Sequence, residues 1–302
     1  MELDAIDAAI VRELRIDGRL PFETLAGRIG LSRAAARLRV RRLLDSGSLR
    51  IIGVAHPTVR GISTLAHLAV RVRGGAAPVG EAVARMPEAR EVRLTTGRFP
   101  LSVEVQGSDL PRLSAAIDRI RSLSGVREID TTVYTHVLKD PVLAAAEPPG
   151  VEPDEVDRLL IDLLERDGRL SFAELAGHVG LSPGAVRGRV MRMLRERVLR
   201  VTALLDPTAV GLIRRGGFAL RLESDGHEAV KEVSAWDHTR FLTRCLGNAD
   251  LMGTVAAESV TILHTVYERL RALPGVHVTE TWIHLDDVRP PRDRNGGTPI
   301  GR

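Results

Sequence analysis

Cysteine is all but missing: Cys245 is the single one in 302 residues. One thiol excludes an intrachain disulfide and fits a reducing compartment. Aromatic residues are scarce at 3%, so any core must be built from Leu, Val, Ile and Ala. No apolar run approaches the roughly 20 residues that a bilayer-spanning helix needs. The acidic start Met1-Glu2-Leu3-Asp4 lacks the basic-then-apolar pattern of a secretory leader. A cytoplasmic location is the expectation. A large excess of one charge is also lacking, since 43 Lys and Arg face 39 Asp and Glu for a net +4. No global basicity marks a polyanion partner, so the location of the positive charge, nearly all arginine, matters more than its total. The nine histidines show no metal-ligand spacing with cysteine. His136 and His284 fall near the ends of comparable strands in registers that differ by two, and both read as structural or surface residues. There is no P-loop, nucleophile elbow or dinucleotide fingerprint, and no cofactor or metal is expected.

What the chain does have is a repeat. Asp17-Gly18-Arg19-Leu20 returns as Asp167-Gly168-Arg169-Leu170, and Leu25-Ala26-Gly27 as Leu175-Ala176-Gly177. Gly30-Leu31-Ser32 returns as Gly180-Leu181-Ser182, Pro57-Thr58 and Gly61 as Pro207-Thr208 and Gly211, Gly97 as Gly247, and Gly125-Val126 as Gly275-Val276. The offset is 150 throughout, with no gap. Matches at one offset from end to end indicate a duplication.

Each copy reads in two parts. Ile6, Ile10 and Leu14 recur at helical spacing behind a capping Asp4. Phe22, Leu25, Ala26 and Ile29 mark a second helix that stops at Gly30. Ser32 caps a third, with Ala36, Val40 and Leu43 inward and an end near Gly47. Leu49 to Val54 reads as a short strand or wing. From about residue 64 the order becomes strand, helix, strand, strand, helix, strand, ending with Val126 to Val137, which is the ferredoxin-like βαββαβ arrangement. The second copy repeats it, with Phe218–Leu222 and Val276–Leu285 as its first and last strands. The fold class is therefore α+β, in two tandem units. Helix-turn-helix domains are expected at 1–55 and 153–205, and ferredoxin-like domains at 62–140 and 212–288. A linker is expected at 141–152, and an aperiodic, disordered tail at 289–302. The linker is long enough that the copies need not be neighbours in space.

The third helix of each copy is rich in arginine. The first carries Arg33, Arg37, Arg39, Arg41 and Arg42, and the second Arg187, Arg189, Arg192 and Arg195. With Ala36, Val40 and Leu43 inward, Arg41 and Arg42 point outward, and Arg37 and Arg39 lie on the flanks. Arg192 and Arg195 point outward in the second copy. Such a helix after a Gly-Leu-Ser turn suits the major groove of double-stranded DNA, where arginine reaches phosphates and guanine edges. The helix N-termini at Ser32 and Ser182 favour phosphate. The alternative is a charged face that is merely solvated. Ala34 and Leu38 stand where the second copy has Gly184 and Gly188, so the two helices should not read identical bases. The glycines answer equally to packing and to a close approach to DNA.

These features together resemble the Lrp/AsnC family of feast/famine regulators. The resemblance is carried by LDAIDAAIVRELRIDGRL, by GRIGLSRAAARLRVRRL and by a glycine-containing loop before the third strand of an α/β domain. It covers roughly 3–140 and 153–288. It implies a sequence-specific DNA-binding transcriptional regulator modulated by an amino acid or related small metabolite. Family members are typically one such unit, dimerising through the α/β sheet and binding the effector where α/β domains meet. A homo-oligomer, most simply a dimer of tandem chains, follows if sheet edges need a partner. Whether the α/β domains pair within or between chains is open.

The family's effector loop often reads Gly-x-x-Asp. The second copy keeps it as Gly247-Asn248-Ala249-Asp250, whereas the first reads Gly97-Arg98-Phe99-Pro100. Asp250 could meet an ammonium and Pro100 could not, so effector binding is expected to depend on the second copy. The bland alternative is a tight turn closed by the Asp250 side chain. Two rivals remain. Siroheme decarboxylases resemble this family, and some are fusions of two units, with His- and Arg-bearing motifs and aromatics in the α/β domain, but VRLTTGRFPLSVEV and FLTRCLGNADLMGTV contain no histidine or tryptophan. A DNA-independent sensing adaptor is disfavoured by the arginine faces.

Overall fold

The computed structural model describes residues 3–140, 149–206 and 213–289. Most of the expected linker, the repeat matches at Pro207, Thr208 and Gly211, and the tail beyond 289 lie outside the described residues.

In the first copy, helices α1 (Ala5–Ile16), α2 (Phe22–Ile29) and α3 (Arg33–Asp45) precede strand β1 (Leu49–Ala55) and a 3-10 turn, Pro57–Arg60. Then follow β2 (Thr64–Val72), α4 (Ala76–Ala84), β3 (Ala89–Thr95), β4 (Leu101–Gly107), α5 (Leu110–Arg121) and β5 (Val126–Lys139). The second copy runs α6 (Glu155–Arg166), α7 (Phe172–Val179), α8 (Pro183–Arg195) and β6 (Leu199–Leu205). It ends with β7 (Arg214–Leu222), α9 (His227–Ala235), β8 (Thr239–Leu246), β9 (Leu251–Ala257), α10 (Val260–Arg271) and β10 (Val276–Arg289). The fold is mixed α+β, with a helix-turn-helix and a βαββαβ domain in each copy.

The compact units cut across the repeat. Residues 1–60 and 146–211 form one, and residues 61–145 and 212–302 the other. In the first unit, Asp4 caps α1 by accepting from the Asp7 N–H at 2.7 Å, α2 ends in left-handed Gly30, and Ser32 caps α3. Ile10, Leu14, Leu25, Val40 and Leu43 form the buried core of the first helix trio. That core is completed by Val201 and Ala203 from the other copy's β6, as Ala55 of β1 joins the second trio's core. β1 and β6 pair antiparallel from Leu49↔Leu205 to Ala55↔Leu199. The segment read as a short strand or wing is a strand, and its ladder with β6 joins the two helix-turn-helix copies. The repeated Asp-Gly turns lie on it: the Gly18 N–H donates to the Val201 carbonyl and the Gly168 N–H to that of Ile51, each at 2.9 Å. A Cβ on Gly168 would fall 2.7 Å from Val201 Cγ1, a separation that leaves room only for glycine.

The second unit is a closed barrel in the order β10-β3-β4-β2-β5-β8-β9-β7. Each ferredoxin-like half keeps its own four strands, and the halves are sewn by antiparallel β5–β8 and β10–β3 pairs. Both α/β domains of one chain therefore pair with each other. Alternation sets the layers: Ala66, Leu68 and Val70 of β2 pack on Leu113, Ile117 and Ile120 of α5, while His67 and Ala69 face the other way. Every barrel strand has two neighbours, so the open α/β-domain edges that motivated a dimer of chains are used inside one chain.

Candidate DNA interface and barrel cavity

The inner faces of α3 and α8 are fixed before any ligand arrives. Ala36, Val40 and Leu43, and likewise Val186, Val190 and Met193, are at most 1% exposed. Charge locks them further. Arg39 Nη1 donates to Asp4 Oδ2 at 2.6 Å and to Asp7 Oδ1 at 3.0 Å, and Arg42 Nη2 to Asp7 Oδ2 at 2.5 Å. The second copy repeats the set with Arg189 on Asp154 and Asp157 and Arg192 on Asp157. Asp7 and Asp157 are buried. The hydrogen bond from Arg39, then the Asp7 N–H, holds the Asp4 carboxyl below its ordinary value, and Arg189 does the same for Asp154. Arg39, Arg42, Arg189 and Arg192, counted from sequence as DNA ligands, are thus employed in tying the recognition helix to the first helix of its own trio.

The remaining cations stand outward. Arg37, Arg41 and Arg187 are exposed, and no hydrogen bond or ion pair engages them among the described residues. Arg33 lies 3.8 Å from Glu23, and Arg195 is 3.2 Å from Glu196. Ser32 and Ser182 accept from the N–H groups of Ala35 and Ala185 at 3.2 Å and act as helix caps. Between the arginines Leu38 is 70% exposed, and Met191 is 50% exposed at the position matching Arg41. Gly184 and Gly188 face open space, with nothing near a would-be Cβ. That removes packing as the reason for glycine there.

In the barrel, strand faces turned away from the helices bound a cavity of about 530 Å³. Both copies contribute, and both glycine loops reach it: Arg98 and Phe99 from one, Asn248 and Ala249 from the other. Asp250 does not line it. Its Oδ1 accepts from Arg221 Nη1 at 2.8 Å and its Oδ2 from the Leu222 N–H at 2.9 Å. The expectation that Asp250 meets an effector ammonium is corrected: a neighbouring strand's arginine and backbone already occupy the carboxylate. Gly247 adopts φ 132°, where a Cβ would fall 2.7 Å from the Thr131 carbonyl oxygen, so it serves the turn. The first copy's loop, set aside because of Pro100, supplies wall residues.

The carboxylates that do face the cavity are Asp130 and Glu280, which occupy the same position in the two copies. Asn248 Nδ2 donates to Asp130 Oδ1 at 2.5 Å. Burial and the nearby Asp130 raise the Glu280 pKa, partly offset by Arg98. Trp282 stacks on His67 with ring centroids 5.4 Å apart. It fits because residue 217 is glycine, whose Cβ would fall 2.1 Å from the indole. His67 bonds Ser102 Oγ at 2.9 Å, and burial, then Arg93, pushes its pKa down to about 4. Burial lowers His284 as well, and its Nε2 accepts from the Trp282 indole N–H at 3.1 Å. Both imidazoles are neutral at neutral pH. Sequence reasoning missed this group, although comparing the copies at one offset pairs Asp130 with Glu280. Among the described residues no group of three or more His, Cys, Asp or Glu could hold a metal ion, and no helix is long and apolar enough to cross a membrane.

Two arginine-faced helix-turn-helix copies joined to a ligand-sized α/β barrel define a DNA-binding regulator. An AsnC-type helix-turn-helix model matches residues 3–44 and 154–194, and an Lrp/AsnC ligand-binding-domain model matches 65–143. The chain belongs to the Lrp/AsnC family of transcriptional regulators. It is 30% identical over 140 residues to the HTH-type transcriptional regulator FL11 of Pyrococcus horikoshii, spanning 46% of this chain and 93% of that protein. It is 29% identical over 147 residues to the leucine-responsive regulatory protein of Klebsiella pneumoniae, spanning 47% and 90%. A relative of ordinary length thus corresponds to about half of this chain. The crystal structure of the siroheme decarboxylase NirDL superposes with a TM-score of 0.65 at 14% identity, covering 94% of this chain and 92% of that one. At that identity the match defines the tandem fold and carries nothing about chemistry. The chain is a DNA-binding transcriptional regulator.

Proposed function

We propose that one chain presents both recognition helices to one operator and that a small molecule in the barrel cavity modulates binding. The observation that carries the DNA reading is the division of labour on α3 and α8. Arg39, Arg42, Arg189 and Arg192 are consumed by Asp4, Asp7, Asp154 and Asp157. Arg37, Arg41 and Arg187 are left exposed for DNA, with Ser32, Arg33, Ser182 and Arg195 placed to reach phosphates. Leu38 among arginines suits a thymine methyl. Where the first copy offers Arg37, Leu38 and Arg41, the second offers Arg187, Gly188 and Met191. The two half-sites therefore differ, and the operator is not a palindrome.

The effector reading rests on a cavity built jointly by both α/β domains, which gives one site per chain, with Asn248 and Ala249 in its wall. An amino acid or related metabolite is the class the family implies. The regulator works in the cytoplasm beside the genome. Any homo-oligomer of the chain needs a surface other than the strand edges of the barrel.

Selection of bound sequences from a random DNA pool tests the operator. The parent should yield an asymmetric site, and Met191→Arg should change base preference in one half only. A perfect palindrome, or a preference indifferent to Met191→Arg, would defeat the reading.

A further inference from the structure

The cavity's own charge identifies the class of ligand more closely than the family does. Three charged residues line it: Arg98, Asp130 and Glu280. Arg98 already has a counterion, with its Nη2 3.1 Å from Glu128 Oε1, and its guanidinium lies 4.9 Å from the centre of the Phe99 ring. Among the described residues Asp130 has only the neutral amide of Asn248 as a hydrogen-bond partner. The Glu280 carboxylate meets no hydrogen bond or ion pair among the described residues. His67 contributes no charge at neutral pH, because burial keeps it unprotonated. The unmatched charge of the lining is therefore negative. Around it the wall is apolar and well packed: Trp282 and Met252 are 8% and 5% exposed, and Ala219 and Ala249 pack with them. Two carboxylates beside an apolar wall are the elements that hold an organic cation, through charge and through burial of its carbon frame.

We infer that the barrel binds one organic cation per chain, with its ammonium or guanidinium between Asp130 and Glu280 and its carbon frame against Trp282 and Met252. A cavity of about 530 Å³ accommodates a diamine, a guanidino compound or an arylalkylamine. Asp130 and Glu280 come from opposite copies, so neither α/β domain forms the site alone. The duplication has converted two equivalent positions into the two sides of one pocket. Trp282 and Thr132 are likewise equivalent positions on opposite sides, which gives the site one aromatic and one polar wall. The inference rests on the barrel cavity being a ligand site, and the experiment separates the two.

The test is calorimetric titration of the full chain with agmatine, putrescine and tryptamine as cations, leucine as a zwitterion and indole-3-acetate as an anion. At least one cation should bind with a stoichiometry of one. Its affinity should fall about tenfold or more in Glu280→Gln and in Asp130→Asn. The parent's affinity for leucine and indole-3-acetate should be weaker by a similar factor. Trp282 fluorescence should change on binding in the parent, and thermal unfolding of each variant without probe should match the parent to show that the barrel is intact. No cation binding at millimolar concentration, tighter binding of the anion or zwitterion, or equal affinity in both carboxamide variants would overturn the inference. Operator affinity measured with and without the bound cation is a separate arm. Binding without any effect on DNA keeps the cation site and removes its regulatory role.

Discussion

Arg19 and Arg169 hold each other's turns. Arg19 Nη1 and Nη2 donate to the Gly168 and Leu170 carbonyls at 2.7 and 2.9 Å, and Arg169 Nε and Nη2 donate to those of Gly18 and Leu20 at 2.9 and 3.3 Å. Each guanidinium also lies over the other copy's phenylalanine, Arg19 on Phe172 and Arg169 on Phe22. Burial lowers the pKa of both, the charge of Arg19 lowers that of Arg169 further, and Asp17 and Asp167 oppose the shift. The Asp-Gly-Arg-Leu motif repeats because it is one half of a reciprocal clasp across the β1–β6 ladder. Arg19→Ala should destabilise the helix-turn-helix unit by about 1.5–3 kcal/mol, the range for charge-assisted bonds to buried acceptors. Arg19→Lys should recover little of this, because an ammonium lacks the planar fork. Urea unfolding followed by far-UV circular dichroism measures both, and a Lys variant as stable as the parent would contradict the clasp.

The arginines of α3 should separate into two classes. Arg41→Ala and Arg37→Ala remove exposed groups without partners among the described residues, so stability should stay within about 0.5 kcal/mol. Operator affinity should drop by about 1–3 kcal/mol for each base-reading arginine removed. Asp7→Ala frees Arg39 and Arg42 from a buried acceptor and should cost about 1–3 kcal/mol of stability, weakening DNA binding only through a loosened helix. Stability and affinity measured on the same three variants check this. The assignment fails if Arg41→Ala destabilises the fold as much as Asp7→Ala does.

How much of this was legible in the sequence follows from the range of each interaction. The inner face of α3, its Ser32 cap and the Gly30 stop are set within a few residues, and periodicity finds them. The β1–β6 pair was not visible, because Leu49 finds Leu205 across the whole repeat. Its one local mark is that β1 is buried at every position but Arg50 instead of alternating. The role of Arg39 was misread because helical angle alone cannot show that Asp4 and Asp7 stand opposite. Asp250 was misread for the same reason: Arg221 approaches from another strand. Asp130 and Glu280 carried a signal in the equivalence of the copies, but only barrel closure brings both to one cavity.

Arg197 is the one non-glycine among the described residues with positive φ, at 59°. It sits 150 residues after Gly47, which adopts φ 71° at the end of α3. The same left-handed stop after α8 is therefore made by a residue with a Cβ, at a cost of about 1–2 kcal/mol. Arg197→Gly should stabilise the helix-turn-helix unit by up to about 1 kcal/mol, less than the full strain because glycine also gains freedom when unfolded. Gly47→Ala should destabilise it by about 1 kcal/mol or more. Denaturant midpoints at constant slope provide the measurement, and a destabilised Arg197→Gly protein would show that the side chain contributes more than its strain costs.

The two units should respond to pH in opposite directions. In the helix-turn-helix unit, burial lifts the Glu165 carboxyl from 4.5 to about 7, although Arg60 Nη2 lies 2.8 Å from it. Between those values the folded chain keeps a proton that the unfolded chain has released. Stability is therefore greatest at the acid end of that window and is lost as pH rises through about 7, by on the order of 3 kcal/mol. In the barrel, burial depresses His67 from 6.5 to about 4, and His284 shifts the same way. There the unfolded chain binds the extra proton, so His67 contributes stability above 6.5 that is lost as pH falls toward 4, again on the order of 3 kcal/mol. Both tryptophans, Trp236 and Trp282, lie in the barrel unit. Intrinsic fluorescence therefore follows that unit alone, while far-UV circular dichroism also follows the six helices of the other. Urea unfolding at several pH values should show Glu165→Gln removing the loss on the alkaline side and His67→Gln removing the loss on the acid side. A fluorescence transition with the same acid dependence in the parent and in His67→Gln would show that His67 is not the group responsible.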